Sequence, residues 1–421
     1  MSEMSVGSVR LPRLGGARLG VNIAREAVFR LLGKLETGSL TVHEGSQSYR
    51  FGVAHGPRAE VHVHDRAVYS QMAMGGSIAA GETYMRGYWS TPDIIQVTRL
   101  FCANMRVLER FDASQSLWVR LGLRVAHFFN RNTRSGSRDN IGAHYDLGND
   151  FFALFLDPSM MYSSALFTDP AQSLECASRE KLDELCRQLE LQPDDHLLEI
   201  GTGWGGMAVH AARYYGCRVT TTTISREQFD YARERVRQEG LQDRVTVLCQ
   251  DYRELRGRYD KLVSIEMIEA VGHEFYGEYF RTCSALLQPG GKMVIQAITM
   301  TDQRYEQARD SVDFIKRYIF PGGCLPSVAV IAQHLASDTD MQMVHLRDIT
   351  QDYAITLAHW RERFLAQLQE VRSMGFSDEF IRMWEYYLAY CEGGFRERVI
   401  GTVQLAFAKP AYRFAAPGPE I

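Results

Sequence analysis

No run of apolar residues in this 421-residue chain is long enough to cross a bilayer, because Arg, Gly or His interrupts each one every few positions. Residues 1–20 mix Ser, Arg, Gly and Leu and lack the charged-then-apolar order and small-residue cleavage site of a secretory leader, so a cytoplasmic protein is expected. The eight cysteines (102, 176, 186, 217, 249, 283, 324, 391) never fall as Cys-x-x-Cys, which argues against a disulfide framework or a zinc site and suits a reducing compartment. A net charge of −4 gives no general attraction to nucleic acid or anionic lipid. No internal repeat is visible. His62 and His64 are spaced as neighbours on one strand face, but without an evident third ligand no metal is expected.

What is present reads as globular, with 45% hydrophobic and 23% charged residues. Residues 1–129 form a mixed unit, with a helix near Ile23–Leu32, short strands around 40–42 and 61–63, then helices. Met72, Met74 and Met85 read as core filling. Residues 130–139, rich in Asn, Arg, Ser and Gly, read as a linker to a larger unit over 140–421. Between 117 and 138 five arginines and no acid alternate with aromatic and aliphatic residues, a pattern that suits either an anionic lipid surface or a helix packed on a neighbouring unit. In the larger unit strands at 196–200, 218–223, 245–249, 261–265 and 292–298 alternate with helices, the last after a Pro-Gly-Gly turn. The region beyond 300 is largely helical, with a final strand at 399–408. This alternation implies an α/β fold with a doubly wound parallel sheet, whose ligands bind outside the carboxyl ends of the strands.

The first of those ends is Leu197-Leu-Glu-Ile-Gly-Thr-Gly-Trp-Gly-Gly206, an apolar strand entering a glycine turn. Its spacing fits Gly-x-Gly-x-x-Gly, but a nicotinamide nucleotide also wants an acid at the end of the second strand. That end reads Thr221-Thr-Thr-Ile-Ser225, with no carboxylate before Glu227, so an oxidoreductase is disfavoured. The loop instead resembles that of class I methyltransferases, with Glu199 and glycines 201, 203 and 205 around the methionine part of S-adenosylmethionine. On that resemblance Asp251 and Tyr252 meet the adenine, although Asp251 also suits a turn cap.

Several further motifs are similar to those of the cyclopropane-fatty-acyl-phospholipid synthases, in order over about residues 75 to 410. They are Gly76-Ser-Ile-Ala-Ala-Gly-Glu-Thr-Tyr-Met-Arg-Gly-Tyr-Trp89, His144-Tyr-Asp-Leu-Gly-Asn-Asp150, Met161-Tyr-Ser-Ser-Ala165, Ser264-Ile-Glu-Met-Ile-Glu-Ala-Val-Gly272, Arg317-Tyr-Ile-Phe-Pro-Gly-Gly-Cys-Leu-Pro-Ser327 and Gly393-Gly-Phe-Arg-Glu-Arg398. The resemblance implies attack of a cis double bond of a phospholipid acyl chain on the sulfonium methyl, then loss of a proton and ring closure. An alkene is a poor nucleophile and a carbocation is quenched by water, so a dry, aligned cavity and a fixed base are required.

In typical members a bicarbonate held by Cys, Glu, His and Tyr is the base. Here the Glu corresponds to Glu269 and the Tyr to Tyr353, but Ser164 stands at the Cys position and Gln296 at the His position, which leaves bicarbonate open. Glu266 stands where many members have a small residue, and the Glu-Met-Ile-Glu-Ala-Val-Gly pattern together with Gln296 resembles the plant-type branch, which keeps the cyclopropanating activity. Three residues from Glu269, Glu266 would share a face with it if the turn is helical. It reads either as the proton acceptor or its close partner, or as a hydrogen-bonding group for the cofactor or a helix end.

The resemblance also assigns Tyr162, Ser163, Thr223, Ser225 and Gln228 to the cofactor, each also a candidate for ordinary capping, and marks Cys391 as a family-linked position. Phe314, Tyr318 and Phe320 suit either an acyl tunnel or plain core. Unsaturated phospholipids at the inner membrane surface are the implied partners, with no nucleic acid, and family members commonly dimerise. Methylation of the same alkene without ring closure, and a lipid-binding protein without turnover, are the competing readings.

Overall fold

The computed structural model describes residues 17–113 and 147–413. The expected linker at 130–139, the basic stretch 117–138, residues 144–146 of one motif and the first 16 residues of the tail lie outside the described residues.

Two sheets form among the described residues. The smaller runs β2-β1-β3-β4, from β1 (Ser39–Glu44), β2 (Gln47–Gly52), β3 (Arg58–Val63) and β4 (Trp89–Ser90). β1 and β3 are parallel, which sets His43 opposite His62. Their rings stack, and both Nε2 atoms lie 3.0 Å from Glu60 Oε1 on an accessible face. His64 lies beyond the strand and bonds Ser90 Oγ, so the sharing of a strand face by His62 and His64 that the spacing suggested is not formed. The helix Ala67–Met85 breaks at Gly76 (φ 57°, ψ −137°), a backbone conformation open to glycine because it lacks a Cβ. Met85 is buried and Met72 is partly buried against the same core, as expected, whereas Met74 is exposed.

The larger sheet runs β10-β11-β9-β8-β5-β6-β7, built from β5 (His196–Ile200), β6 (Arg218–Thr223), β7 (Val245–Cys249), β8 (Tyr259–Ile265), β9 (Leu287–Met300), β10 (Gln342–Asp348) and β11 (Ile400–Ala408). β5 to β9 are parallel to one another, and β11 and β10 add antiparallel pairs. Leu197, Leu198, Leu262, Val263, Met293 and Val294 are fully buried, as a sheet covered on both faces demands. Helices Leu174–Leu189 and Gly206–His210 contribute to the core on one face, Tyr276–Leu286 and Val328–Asp338 on the other. From β5 the chain winds outward through β6 and β7, then crosses back to β8 and β9, so the order reverses between β5 and β8. Ligands of such sheets bind at that reversal. The glycine loop leaves β5 there and Glu266 leaves β8 beside it.

A third core cluster ties the amino-terminal unit to the larger one, joining Val28, Leu40, Tyr69 and Leu100 to Phe151, Phe155, Trp360 and Trp384. The helix Asp378–Arg396 packs on both Ala67–Met85 and Ile94–Ala103, where Thr98 Oγ1 donates to the Ala389 carbonyl at 2.9 Å.

Candidate active site

A cavity of about 780 Å³ opens at the reversal point. The glycine loop, the ends of β6 and β7, and the segment after β8 supply one set of walls, through Gly201, Gly203, Thr223, Gln228, Asp251 and Tyr252. The amino-terminal unit supplies apolar walls through Val28, Leu32, Val97 and Phe101, and Tyr387, Cys391 and Ile400 line it as well. Both units therefore enclose one space, of the size and apolar lining typical of a ligand site.

At the glycine loop φ is 102° at Gly201, 51° at Gly203 and 82° at Gly205. A Cβ on Gly201 would lie 3.3 Å from Met267 Cγ, so backbone conformation and space both call for glycine. Glu199, at the end of β5, is 2% exposed, and its Oε2 has no hydrogen-bond partner among the described residues. Burial pushes its pKa up to about 8, against a hydrogen bond from Thr221. A loop backbone that lines the cavity beside a buried carboxylate oxygen without a partner among the described residues fits the methionine end of S-adenosylmethionine, whose ammonium would supply the missing donor. Thr223 Oγ1 donates to Gln228 Oε1 at 2.8 Å and both line the cavity. Ser225 instead caps the helix Arg226–Gln238 and stands off the cavity wall. Asp251 faces the cavity, yet its carboxylate also accepts the Arg253 N–H at 3.0 Å and its guanidinium at 2.6 Å.

Glu266 has φ 48°, a left-handed conformation that costs a non-glycine residue on the order of 1–2 kcal/mol. The helical turn expected to align Glu266 with Glu269 does not include Glu266; a 3₁₀ turn starts only at Ile268. The left-handed residue presents its carboxylate to three donors. Ser164 N–H donates to Oε1 at 2.9 Å, Gln296 Nε2 donates to Oε1 at 2.8 Å, and Tyr353 Oη donates to Oε2 at 2.8 Å. Burial raises the Glu266 pKa while these three bonds oppose the rise. Burial, with Glu266 adding, holds the Tyr353 phenol well above its ordinary value, so it stays a donor. Glu269 accepts the Ile298 N–H through Oε1, and its Oε2 has no partner among the described residues. Burial first and the Glu266 charge second push its pKa up to about 8. Two carboxyls side by side thus differ, with donors favouring the anion at Glu266 and little opposing protonation at Glu269.

These residues do not fit a bicarbonate. Three groups at positions that the resemblance gave to its holders (164, 296 and 353) bond Glu266 instead, and Ser164 Oγ turns to the Ala165 carbonyl at 2.9 Å.

Lys181 was not found from sequence. It is fully buried, and its ammonium donates to Ser163 Oγ at 2.8 Å. Burial lowers its pKa to about 8, while Glu266, Asp157 and Glu199 pull it up. The signal was available, because position 181 continues the buried stripe of Leu174, Ala177, Leu182 and Leu185 on its helix, where a charge is out of place. Of the aromatic candidates, Phe320 lines the cavity. Phe314 packs between Tyr318 and Tyr386, and Tyr318 donates to Glu82 at 2.7 Å, so neither forms the wall itself. Tyr162 lines the cavity and shares a hydrogen bond with Tyr387 at 2.8 Å. Cys391 also lines it, but burial raises its thiol pKa and keeps it neutral, so no thiolate nucleophile is offered.

The raised carboxyls at 199 and 269 make stability depend on pH. Each keeps its proton in the folded chain up to about pH 8 but loses it near the ordinary carboxylate value when unfolded. The folded state therefore binds more protons in between, and stability falls as pH rises through that window. The melting temperature of cofactor-free protein should drop between about pH 5.5 and 8.5, as scanning calorimetry reads it. Glu199→Gln and Glu269→Gln should each flatten the slope, and an unaltered slope in both variants would refute this account.

The family model described as mycolic acid cyclopropane synthetase matches residues 132–405. Tuberculostearic acid methyltransferase UfaA1 of Mycobacterium tuberculosis is 39% identical over 371 residues, 85% of this chain and 86% of that protein. The cyclopropane-fatty-acyl-phospholipid synthase of Escherichia coli K12 is 37% identical over 353 residues, 83% of this chain and 88% of that protein. Among solved structures, the cyclopropane synthase MmaA2 from Mycobacterium tuberculosis aligns with a TM-score of 0.61 at 30% identity, covering 65% of this chain and 98% of its own. The mycolic acid cyclopropane synthase CmaA1, complexed with SAH and CTAB, aligns with the same TM-score at 29% identity, again over 65% of this chain and 98% of its own. With a class I methyltransferase sheet, a glycine loop at its reversal point and this similarity along most of its length, the chain belongs to the mycolic acid cyclopropane synthetase family of S-adenosylmethionine-dependent enzymes.

Proposed function

We propose that the protein transfers a methylene unit from S-adenosylmethionine to the cis double bond of a phospholipid acyl chain, with Glu266 as the proton acceptor. The observation that carries this reading is the convergence of Ser164 N–H, Gln296 and Tyr353 on one half-buried carboxylate at the wall of a largely apolar cavity. When bound, S-adenosylmethionine supplies an electrophilic methyl. The glycine loop, Glu199, Thr223 and Gln228 hold that donor, with Asp251 and Tyr252 at its adenine. Apolar walls from both units align the alkene and keep water from the cation. Glu266, held as an anion, takes the proton from the newly attached methyl, and the ring closes. It thereby does the work assigned to bicarbonate in typical members. A carboxylate whose pKa is raised by burial is a stronger base than an exposed one and suits this step.

No helix among the described residues is long and apolar enough to cross a membrane. The protein reaches its substrate from the surface of the inner membrane, on this reading as a peripheral enzyme.

Methylation without ring closure is the second reading, favoured by the similarity to a tuberculostearic acid methyltransferase and by the changed residues at 164 and 296. Expression in a bacterium lacking its own synthase, followed by gas chromatography against ring and branch standards, separates the two. A cyclopropane peak is expected. A methyl-branched or methylene chain alone would replace the first reading with the second, and no new lipid would sink both.

A further inference from the structure

Three glutamines connect Glu266 to a charged pair at the protein surface. Gln296 on β9 and Gln404 on β11 are register partners, and both are fully buried. Gln188 lies near the end of the helix Leu174–Leu189, almost as deep. Gln188 Nε2 donates to Gln404 Oε1 at 2.8 Å, Gln404 Nε2 to Gln296 Oε1 at 3.0 Å, and Gln296 Nε2 to Glu266 Oε1 at 2.8 Å. At the outer end Gln188 Nε2 also donates to Glu184 Oε1 at 2.9 Å, an oxygen that meets Arg347 at 3.1 Å. Every amide points the same way.

That order constrains each member. For Gln296 and Gln404, an amide turned by about 180° would set NH₂ against NH₂ on one side and oxygen against oxygen on the other; for Gln188, whose Nε2 donates to both Glu184 and Gln404 and whose Oε1 has no partner among the described residues, it would set oxygen against both acceptors. The flanking positions on the same strands, Ile295, Ala297 and Leu405, are buried and apolar, so the sheet has no packing need for amides here. A buried polar group is costly unless bonded, and bonds aligned in series strengthen one another. The second N–H of Gln296 goes to the Ser164 carbonyl at 3.2 Å, but its oxygen is held from behind by Gln404.

We propose that Gln404 and Gln188 are positioning residues that lock the Gln296 amide with its N–H toward Glu266, so that Glu266 remains a carboxylate ready to take a proton. The inference rests on Glu266 being the base. The other groups facing that carboxylate are the Tyr353 hydroxyl from the helix Thr350–Ala366, Lys181 from the helix Leu174–Leu189, and Glu269 from the turn after β8. These set its charge balance but do not orient Gln296.

Gln404→Met removes the lock at nearly constant volume. Gln404→Glu supplies an anion that draws the Gln296 NH₂ to itself and turns its oxygen toward Glu266. Turnover, read as S-adenosylhomocysteine release over dioleoyl phospholipid vesicles, should fall about tenfold at about pH 7 in Gln404→Met, with its acid limb moved up by about one pH unit. Gln404→Glu should move further in the same direction. Difference infrared spectra of cofactor-free protein, with Glu266→Gln subtracted, read the ionisation of Glu266 directly and should shift likewise. Should either sheet variant fail to fold, Gln188→Met tests the outer link and should show a smaller shift of the same sign. A folded variant with the ionisation profile of the unaltered protein, whatever its melting temperature, overturns the proposal. If Glu266→Gln keeps its turnover, the base reading fails first. If that variant is dead while the glutamine variants titrate normally, only the relay is lost.

Discussion

Glu266→Gln should lower turnover by about 10³-fold, within the range that a general base contributes, while calorimetry finds S-adenosylhomocysteine binding unchanged. The amide keeps the shape of the side chain and an oxygen to accept from Ser164 N–H and Gln296. It loses the negative charge and with it the ability to take a proton. Tyr353 can still bond the amide by turning its hydroxyl, so the pocket should not collapse. Because the folded-state pKa of Glu266 is raised above the ordinary carboxylate value, the unaltered enzyme should lose activity as pH falls through that raised value. Unchanged turnover in the variant would remove Glu266 from the chemistry. Lost turnover together with lost S-adenosylhomocysteine binding would move the residue to the cofactor site.

Glu269 is the natural alternative base, and its surroundings argue against it. Its Oε2 has no partner among the described residues, and burial with the Glu266 charge pushes its pKa up to about 8 against its backbone hydrogen bonds, which favours the protonated form at neutral pH. A protonated neighbour helps Glu266, since two adjacent anions would repel each other in a buried site.

The sequence shows the frame of this site far better than its wiring. β5, β6 and β7 begin and end where their runs and turns place them; β5 and β6 are largely buried on both faces, whereas the edge strand β7 was legible through its Val-Thr-Val-Leu-Cys run. β2 and β10 escaped notice because both are edge strands with mixed, partly exposed side chains. The Pro289-Gly-Gly turn marked a break, yet β9 starts before it, at Leu287, and carries pairing through an irregular register with β8. The importance of Glu266 was visible as an acid at a position many relatives give to a small residue. Its left-handed backbone was not, since nothing local demands it. Gln296 could be matched to a motif, whereas Gln404 gains meaning only from the cross-strand register that sets it behind Gln296.

Lys181→Met should cost on the order of 100-fold in turnover at about pH 7, with much of the loss recovered toward about pH 9, because a nearby opposite charge commonly holds a carboxyl roughly one to three pH units lower. Lys181 is fully buried and its charge acts on Glu266, Asp157 and Glu199 together. Without it, Glu266 and Glu199 should retain their protons to higher pH, and a protonated Glu266 is no base. The methionine fills the volume of the stem, so the loss is chiefly of charge and of the hydrogen bond to Ser163 Oγ. A pH–rate profile separates this from damage to the fold. Misfolding depresses activity at every pH, whereas a displaced ionisation brings it back once the solution is alkaline enough. An equal loss across the range, with cofactor affinity intact, would mean that Lys181 does not tune the carboxylates and serves only to hold Ser163.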